Sequence, residues 1–218
     1  MPGFIFTREG GIDVYIRKFK YSYDDVQCKY CTEYRGKKNR CQLIQCPWIA
    51  ERVEAGDVTY KEAVRSIIPQ FCVYRPRAER LIREYEGSLW LNRKHKNSMQ
   101  WFNHQLGYVP QRNSNAYYAA MYLLTSNDEL HKRTSNCFYS LGVEFSYAVL
   151  RDISPHNYSL FCGASEIYNG QRHVTASELA DPEIVDDDAF RLLINAKLIA
   201  QYGTCAFALT KGDSEHGE

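Results

Sequence analysis

Apolar residues recur at helical spacing through most of the chain. The clearest stripe begins at Ala78 and continues to Leu89, with apolar side chains at positions i, i+3, i+4, i+7 and i+11. This is the period of one helix face. Residues 114–125 are almost entirely apolar, which predicts the most deeply buried helix of the chain. The pattern as a whole therefore predicts a mainly helical protein.

Capping residues predict where several of these helices begin. Thr59 and Glu62 match a capping box at the start of a helix over 60–68. Three carboxylates at 186–188 precede the final predicted helix, where they complement the helix dipole. Further helices are predicted over 47–56, 76–91, 114–125, 128–139, 154–170 and 175–179.

The first twenty residues carry a strand pattern instead. Residues 4–7 and 13–20 are rich in β-forming side chains. Gly10 and Gly11 lie between them and can supply the positive φ angles that a tight turn needs. We therefore expect a small N-terminal β-hairpin.

A polar, basic stretch at 92–99 shows no apolar periodicity and is typical of a linker. It places a boundary between two parts of the chain. The predicted organisation is a β-hairpin, cysteine loop and supporting helices over 1–91, a linker over 92–112, an all-helical domain over 113–205, and a polar tail over 206–218.

Composition agrees with a folded, globular chain. Of the 218 residues, 44% are hydrophobic and 24% are charged, which argues against disorder and low complexity. No run approaches the ~18 apolar residues of a membrane span. The N-terminus lacks the basic and apolar regions of a signal peptide. We therefore expect a cytoplasmic protein with no membrane partner.

The net charge of +1 conceals an asymmetry along the chain. Residues 1–112 contain 20 Lys and Arg against 12 Asp and Glu, a net charge of +8. Residues 113–218 contain 7 against 14, a net charge of −7. A basic half can bind a polyanion such as nucleic acid. Attraction between two oppositely charged surfaces of one molecule is the alternative interpretation.

Four of the eight cysteines lie close together in the pattern C-x2-C-x9-C-x4-C. These are Cys28, Cys31, Cys41 and Cys46. Two pairs of thiolates at short spacing can surround one tetrahedral Zn²⁺, and a closed four-thiolate site is structural. In a reducing compartment such a cluster favours metal over disulfides. Iron ligation by the same thiolates, a redox pair in the first knuckle, and four reduced cysteines are the alternatives.

The zinc prediction completes the fold class: mainly α, with a small N-terminal β-hairpin and zinc knuckle, and an all-helical C-terminal domain. The other four cysteines are scattered among apolar residues and are interpreted as small buried hydrophobic side chains. These are Cys72, Cys137, Cys162 and Cys205.

Basic residues alternate with tyrosines around the cysteine loop. Such a mixture can stack on bases and contact phosphates. A small hairpin that builds its core from tyrosines is the alternative. The predicted nucleic-acid contacts are Arg17, Lys18, Lys20, Lys29, Arg35, Lys37, Lys38 and Arg40.

No catalytic residue can be assigned from the sequence. The chain has no phosphate-binding G-x-x-x-x-G-K-[ST], no G-x-G-x-x-G and no H-E-x-x-H. His95 and His104 flank the predicted linker and are interpreted as surface histidines.

Several phrases of the sequence resemble a family of small proteins carried on conjugative and other mobile elements of gut Firmicutes. The matching phrases are the cysteine loop, Ala119–Thr125, Leu160–Gly170 and Phe190–Ala196. The resemblance covers residues 14–60 and 113–203, and it implies that the four clustered cysteines correspond to the family's knuckle. Its motifs are core and capping phrases, and the family has no assigned activity, so no catalytic residue is implied.

Together these features predict a non-enzymatic, zinc-stabilised binding protein of a mobile genetic element. Its expected partner is nucleic acid or a nucleoprotein complex, and a host protein is a further candidate. One concrete version is an inhibitor of host defence, similar to an anti-CRISPR protein. The alternatives are a structural adaptor for protein–protein contacts, and an enzyme whose site assembles in space from Cys, His and carboxylate side chains.

Overall fold

A computed structural model describes residues 4–6, 12–14, 20–35, 40–41, 43, 45–107 and 113–211. The described residues form a mainly helical structure, as the apolar periodicity predicts. Its α-helices are α1 (Ile49–Glu54), α2 (Tyr60–Ile67), α3 (Arg75–Arg83), α4 (Arg93–Gln105), α5 (Asn115–Leu124), α6 (Asp128–Thr134), α7 (Pro155–Asn169), α8 (Ala176–Ala180) and α9 (Asp187–Tyr202).

Helices α5, α7 and α9 pack against one another at the centre of the molecule. Seven of the ten residues of α5 are buried, which agrees with its almost wholly apolar sequence. At Gly163 of α7, an added Cβ would lie 2.0 Å from the Leu193 side chain of α9. The missing side chain therefore lets these two helices approach closely.

The predicted caps are present at the ends of these helices. Thr59 Oγ1 accepts a hydrogen bond from the Glu62 amide at 3.2 Å, and the Glu62 carboxylate accepts one from the Thr59 amide at 3.0 Å. Asp186 caps α9 by accepting a hydrogen bond from the Ala189 amide at 2.8 Å. Gly170 ends α7 with a φ of +74°, which glycine adopts without strain. Local sequence therefore determines these boundaries.

The predicted linker is wrong for residues 93–105, which form helix α4. The Asn92 side chain caps this helix by accepting a hydrogen bond from the His95 amide at 2.9 Å. His95, Met99 and Phe102 are buried, and they follow one another at i, i+4 and i+7, the spacing of one helix face. The long polar face of α4 conceals this stripe in the sequence. Because α4 packs on α5, the two predicted parts share one hydrophobic core.

The predicted polar tail is wrong for residues 206–211. A 3-10 turn over Gly203–Ala208 follows α9 directly. Ala206 and Leu209 are buried in the core. The Tyr60 amide donates a hydrogen bond to the Thr210 carbonyl at 2.8 Å. The end of the described chain is therefore held by α2, a contact that sequence periodicity does not reveal.

Two predicted helices are shorter than expected. Helix α3 ends at Arg83, although Leu89 beyond it is buried. Helix α6 ends at Thr134 and is followed by a 3-10 turn over Ser135–Cys137.

The named strands of the described residues form two short antiparallel pairs. Strand β1 (Phe4–Phe6) pairs antiparallel with β2 (Ile12–Val14), with Ile5 opposite Asp13. The Gly10-Gly11 turn and residues 15–19 lie outside the described residues, so the complete N-terminal hairpin stays a prediction.

A second antiparallel pair, β3 (Tyr34–Arg35) with β4 (Arg40–Cys41), belongs to the cysteine loop. Among the described residues, none of the helices is both long and apolar enough to cross a bilayer.

Candidate metal centre and the adjacent cleft

The cysteine loop consists of a tight turn followed by a short strand pair. Residues Cys28–Tyr30 form a 3-10 turn, closed by a hydrogen bond from the Cys31 amide to the Cys28 carbonyl at 3.0 Å. The Tyr34 amide then donates to the Cys31 carbonyl at 3.0 Å. Tyr34 lies opposite Cys41 in the β3–β4 pair. Chain direction thus reverses between the first cysteine pair and the second, as a metal knuckle requires.

All four cysteines line one cleft of about 530 Å³ between this loop and helices α1 and α2. Cys28 lies near enough to Cys41 and Cys46 for their charges to interact. Among the described residues, however, no group of three or more His, Cys, Asp or Glu side chains is arranged so that it could hold a metal ion. The four cysteines line one cleft, and their ligation of a metal stays a prediction.

Arg52 of α1 connects the cysteine loop to the helices. Its guanidinium donates hydrogen bonds to the Asp57 carboxylate at 3.0 Å and to the Asp57 carbonyl at 2.9 Å. The Arg52 guanidinium also lies close enough to the Cys46 thiol to interact with it. Burial opposes the Arg52 charge, but the Asp57 hydrogen bond and the charges of Asp57 and Glu62 outweigh it, so the pKa of Arg52 is raised. A permanently charged donor at a thiol is typical of residues that support a thiolate metal site.

Burial also raises the pKa of the Cys28 thiol, while the Arg52 charge opposes the shift. The Cys28 side chain is therefore a protonated thiol, not a thiolate, at neutral pH when no metal is bound. Metal ligation would have to displace this proton.

The cleft walls are mainly apolar and include several aromatic rings. Trp48 and Tyr30 are 57% and 69% exposed at its edge. Lys29 Nζ lies 4.8 Å from the centre of the Tyr30 ring, a cation–π contact. One oxygen of Glu51, Oε2, is buried and has no hydrogen-bond partner among the described residues. The cleft therefore combines aromatic surface with one unpaired carboxylate oxygen.

The structure places only part of the predicted nucleic-acid contacts. Lys20 and Lys29 are exposed, and Arg35 and Arg40 face each other across the β3–β4 pair. The other four lie outside the described residues: Arg17, Lys18, Lys37 and Lys38.

The four remaining cysteines differ in burial. Cys137 is fully buried, as predicted, and burial raises the pKa of its thiol to about 11. Cys72, Cys162 and Cys205 are only half-buried, and all three are free thiols.

The interpretation of His95 as a surface histidine is wrong, because His95 is 1% exposed. Its Nδ1 accepts a hydrogen bond from the Leu91 amide at 3.3 Å, and its Nε2 contacts the Tyr122 carbonyl at 2.8 Å. These two partners define the neutral tautomer that carries its proton on Nε2. The Asn92 cap three residues earlier is the sequence signal that could have placed His95 in a helix.

A further buried polar network lies beside this histidine. The Tyr60 hydroxyl donates a hydrogen bond to Asn195 Oδ1 at 2.7 Å, and Asn195 Nδ2 donates to the Leu89 carbonyl at 3.1 Å. The Tyr122 hydroxyl donates to the same carbonyl. Every member has a partner, so we interpret this network as a structural element of the core.

Sequence periodicity does not reveal the cleft, because Glu51 and Arg52 belong to helix α1, which Trp48 directly precedes, downstream of the cysteine loop. The only signal was the direct succession of the last cysteine and an amphipathic helix.

Comparisons with protein-family models, curated proteins and solved structures gave no match to this chain. They therefore lend no support to the resemblance described above.

Proposed function

We propose that this chain is a non-enzymatic, zinc-stabilised binding protein that contacts nucleic acid or a nucleoprotein complex. The observation that carries the proposal is the position of Cys28, Cys31, Cys41 and Cys46 around one cleft. In this proposal the metal organises the cysteine loop, and basic residues on the loop contact phosphates.

Donor chemistry supports zinc as the metal. Four cysteines provide the thiolate ligands that Zn²⁺ accepts in closed, structural sites. Arg52 at the Cys46 sulfur supplies positive charge beside a centre with four thiolates. Where the structure describes its exposure, at residues 20–34, 41, 43, 45 and 46, the loop has no buried residue, so the packing of this part contributes little to its stability. A metal would supply the missing stabilisation, because structural zinc contributes ~10–16 kcal/mol of apparent binding free energy.

Metal content tests the first half of the proposal. We expect purified protein to contain about one zinc ion per chain, as a four-ligand site requires. Replacing one ligand, Cys28→Ser, should lower the zinc content and the zinc affinity. Cys205→Ser is the matched control, because Cys205 is a half-buried free thiol that does not line the cleft. Protein without bound zinc after purification in zinc-containing buffer, or equal losses in both variants, would contradict the metal site.

Exposed basic residues beside the cleft support the second half. Lys29 is adjacent to Cys28 in the chain and Lys20 lies shortly before it, and both side chains are exposed. Arg35 and Arg40 occupy facing positions on the β3–β4 pair. Residues 1–112 carry a net charge of +8, which attracts a polyanion at long range.

Salt dependence of binding tests this half. Affinity for nucleic acid should fall steeply with salt, since each neutralised phosphate releases counterions. The double variant Lys20→Ala/Lys29→Ala should lower the slope of log K against log salt by about 1.5 to 2. A control pair with the same charge change, Lys96→Ala/Lys132→Ala, lies on exposed positions of α4 and α6. No binding at low salt, or the same loss in both pairs, would refute nucleic-acid contact by the loop.

The proposal that the protein belongs to a mobile element and inhibits host defence, as an anti-CRISPR protein does, depends on the resemblance alone. A pull-down from a host that carries such a defence system tests it, with capture of the nucleoprotein effector as the expected result. Absence of the effector among proteins captured by active, zinc-loaded protein would contradict this part of the proposal.

A further inference from the structure

Aromatic side chains are concentrated in the cleft between the cysteine loop and helix α1. In the described part of the chain, four of them line it: Tyr21, Tyr30, Tyr34 and Trp48. Tyr30 and Trp48 are 69% and 57% exposed. Single exposed apolar side chains are common on protein surfaces, whereas several that share one concave surface are typical of a binding site.

The two exposed rings extend from backbone that hydrogen bonds hold in place. Tyr30 ends the 3-10 turn of the cysteine loop, and its amide donates to the Gln27 carbonyl at 3.0 Å. Trp48 directly precedes α1, and its carbonyl accepts a hydrogen bond from the Arg52 amide at 3.1 Å. A ring on ordered backbone loses little further conformational freedom when a ligand covers it.

An uncharged ligand suits the interior of the cleft better than a phosphate does. Among the described residues that line it, the cations are Arg52 and Arg65. Arg52 is ion-paired with Asp57 at 3.0 Å, and Arg65 is ion-paired with Glu79 at 2.8 Å. A phosphate would have to compete with these carboxylates, whereas an uncharged planar ring would not.

Positive charge lies beside the cleft instead. Lys29 lies between Cys28 and Tyr30, which line the cleft, and Lys20 directly precedes a third lining residue. Both lysines are exposed, and Lys29 Nζ lies 4.8 Å from the centre of the Tyr30 ring. Exposed rings and adjacent cations are the two components of a site for single strands, in which bases stack on the rings and phosphates contact the cations.

The size of the cleft favours a single base over a double helix. Its volume of about 530 Å³ lies in the range of pockets for small molecules. In a duplex, neighbouring base pairs cover both faces of each base, so a base must leave the stack before it can contact a protein ring. The bases of a single strand are free to stack on aromatic side chains.

We propose that this cleft binds an unpaired base of a single-stranded nucleic acid, stacked on Trp48, with the adjacent phosphates at Lys20 and Lys29. The inference rests on the proposed function and narrows its ligand from nucleic acid in general to single strands. Because every base has an aromatic face, stacking of this kind is tolerant of sequence.

Comparison of single and double strands tests the preference. The probes are a single-stranded oligonucleotide, as DNA and as RNA, and the DNA duplex of the same sequence, with zinc-loaded, full-length protein. At one salt concentration we expect a single strand to bind about tenfold more tightly than the duplex, the gain from a stacked base. Phosphate contacts alone would favour the duplex, which has the higher charge density. Duplex affinity equal to or above that of both single strands would overturn the proposal.

Two exposed tryptophans provide matched variants. Trp48→Ala should weaken single-strand binding about tenfold and leave the salt slope unchanged, because the indole contacts a base and no phosphate. Trp48→Phe, which keeps an aromatic ring, should retain most of the affinity. Trp101→Ala is the control, because Trp101 is 60% exposed on α4 and does not line the cleft. Equal effects of the two alanine variants would refute stacking on Trp48.

A free nucleoside separates this inference from the proposed function, because it has a base and no phosphate. Adenosine should shift the indole N–H resonance of Trp48, assigned by its absence in Trp48→Phe, and leave that of Trp101 unchanged. If single and double strands bind equally and adenosine does not bind, this inference fails and the proposed function stands. If adenosine binds and no oligonucleotide does, the nucleic-acid function fails, and the assignment of the cleft to single strands fails with it.

Discussion

At the scale of single residues, hydrogen-bond partners decide whether a polar side chain can be buried. His95 is buried because both ring nitrogens have backbone partners, at Leu91 and Tyr122. Glu51 has a buried oxygen without one. The first arrangement is typical of a structural residue, whereas the second is costly because the lost hydration is not replaced by another hydrogen bond.

Burial makes the stability of the protein depend on pH through His95. Burial lowers its pKa to about 4 from 6.5, although the Tyr122 carbonyl opposes the shift. Between these values the unfolded chain binds a proton that the folded chain does not. The His95 contribution is therefore complete above pH 6.5 and is lost as the pH falls to about 4, by about 3 kcal/mol in total.

This dependence can be measured by denaturant unfolding of the wild type and His95→Gln between pH 4 and pH 7. The variant should be less stable at pH 7, and its free energy of unfolding should change less with pH, because it lacks the titrating group. The difference between the two curves isolates His95 from other titrating groups, such as His131, whose pKa is also lowered by burial. Parallel curves would contradict the buried, neutral state of His95.

At the scale of elements, helix α4 shows how a cap and a narrow apolar face specify a helix in a polar sequence. Only three of its 13 residues are buried. Nevertheless, the stripe formed by His95, Met99 and Phe102 packs into the core, and Asn92 satisfies an amide at the first turn. Average polarity is therefore a poor guide to such a segment, and residue spacing is a better one.

Replacing the cap tests the contribution of the first turn. Asn92→Ala should destabilise the protein by about 1 kcal/mol, because the His95 amide loses its acceptor. Asn97→Ala makes the same substitution at an exposed interior position of α4, where alanine favours the helix. It should have no effect or stabilise slightly. Equal losses in both variants, measured by thermal or urea unfolding, would show that the cap is not formed.

At the scale of the whole molecule, the hydrophobic core and the cysteine loop are separate sources of stability. The buried hydrophobic cluster of the described chain begins at Val53 and ends at Leu209. None of residues 20–34, 41, 43, 45 and 46, the part of the loop whose exposure the structure describes, is buried. The helical core should thus fold without a metal, whereas the loop should depend on one.

Zinc removal tests this separation. A chelator should leave the far-UV helix signal and the main thermal transition nearly unchanged, since the core includes no cysteine of the loop. The same treatment should expose the loop to limited proteolysis and make its four thiols reactive. Cys137 should stay protected, because it is fully buried in the core. Loss of most of the helix signal on chelation would contradict two separate sources of stability.

The sequence by itself determined the helical class and most helix starts. Caps such as Thr59 with Glu62, and apolar stripes such as that of α5, act within a few residues, so they can be read without the fold. The cysteine spacing likewise predicted a common metal site. The four cysteines line one cleft, and their binding of a metal stays a prediction. Charge counts along the chain indicated a basic and an acidic half, but not which side chains are already paired.

Only the tertiary structure decided the features that depend on distant residues. The Thr210 carbonyl accepts a hydrogen bond from Tyr60 of α2, about 150 residues earlier in the chain, and the Leu209 carbonyl accepts one from the Tyr85 hydroxyl. No local pattern could therefore place these residues. Burial of His95 depends on the Tyr122 carbonyl, 27 residues later in the chain. Arg52 and Arg65, which line the cleft, are ion-paired with Asp57 and Glu79. Pairing of this kind depends on three-dimensional proximity, which is the physical reason that charge counts along the chain do not show which side chains are paired.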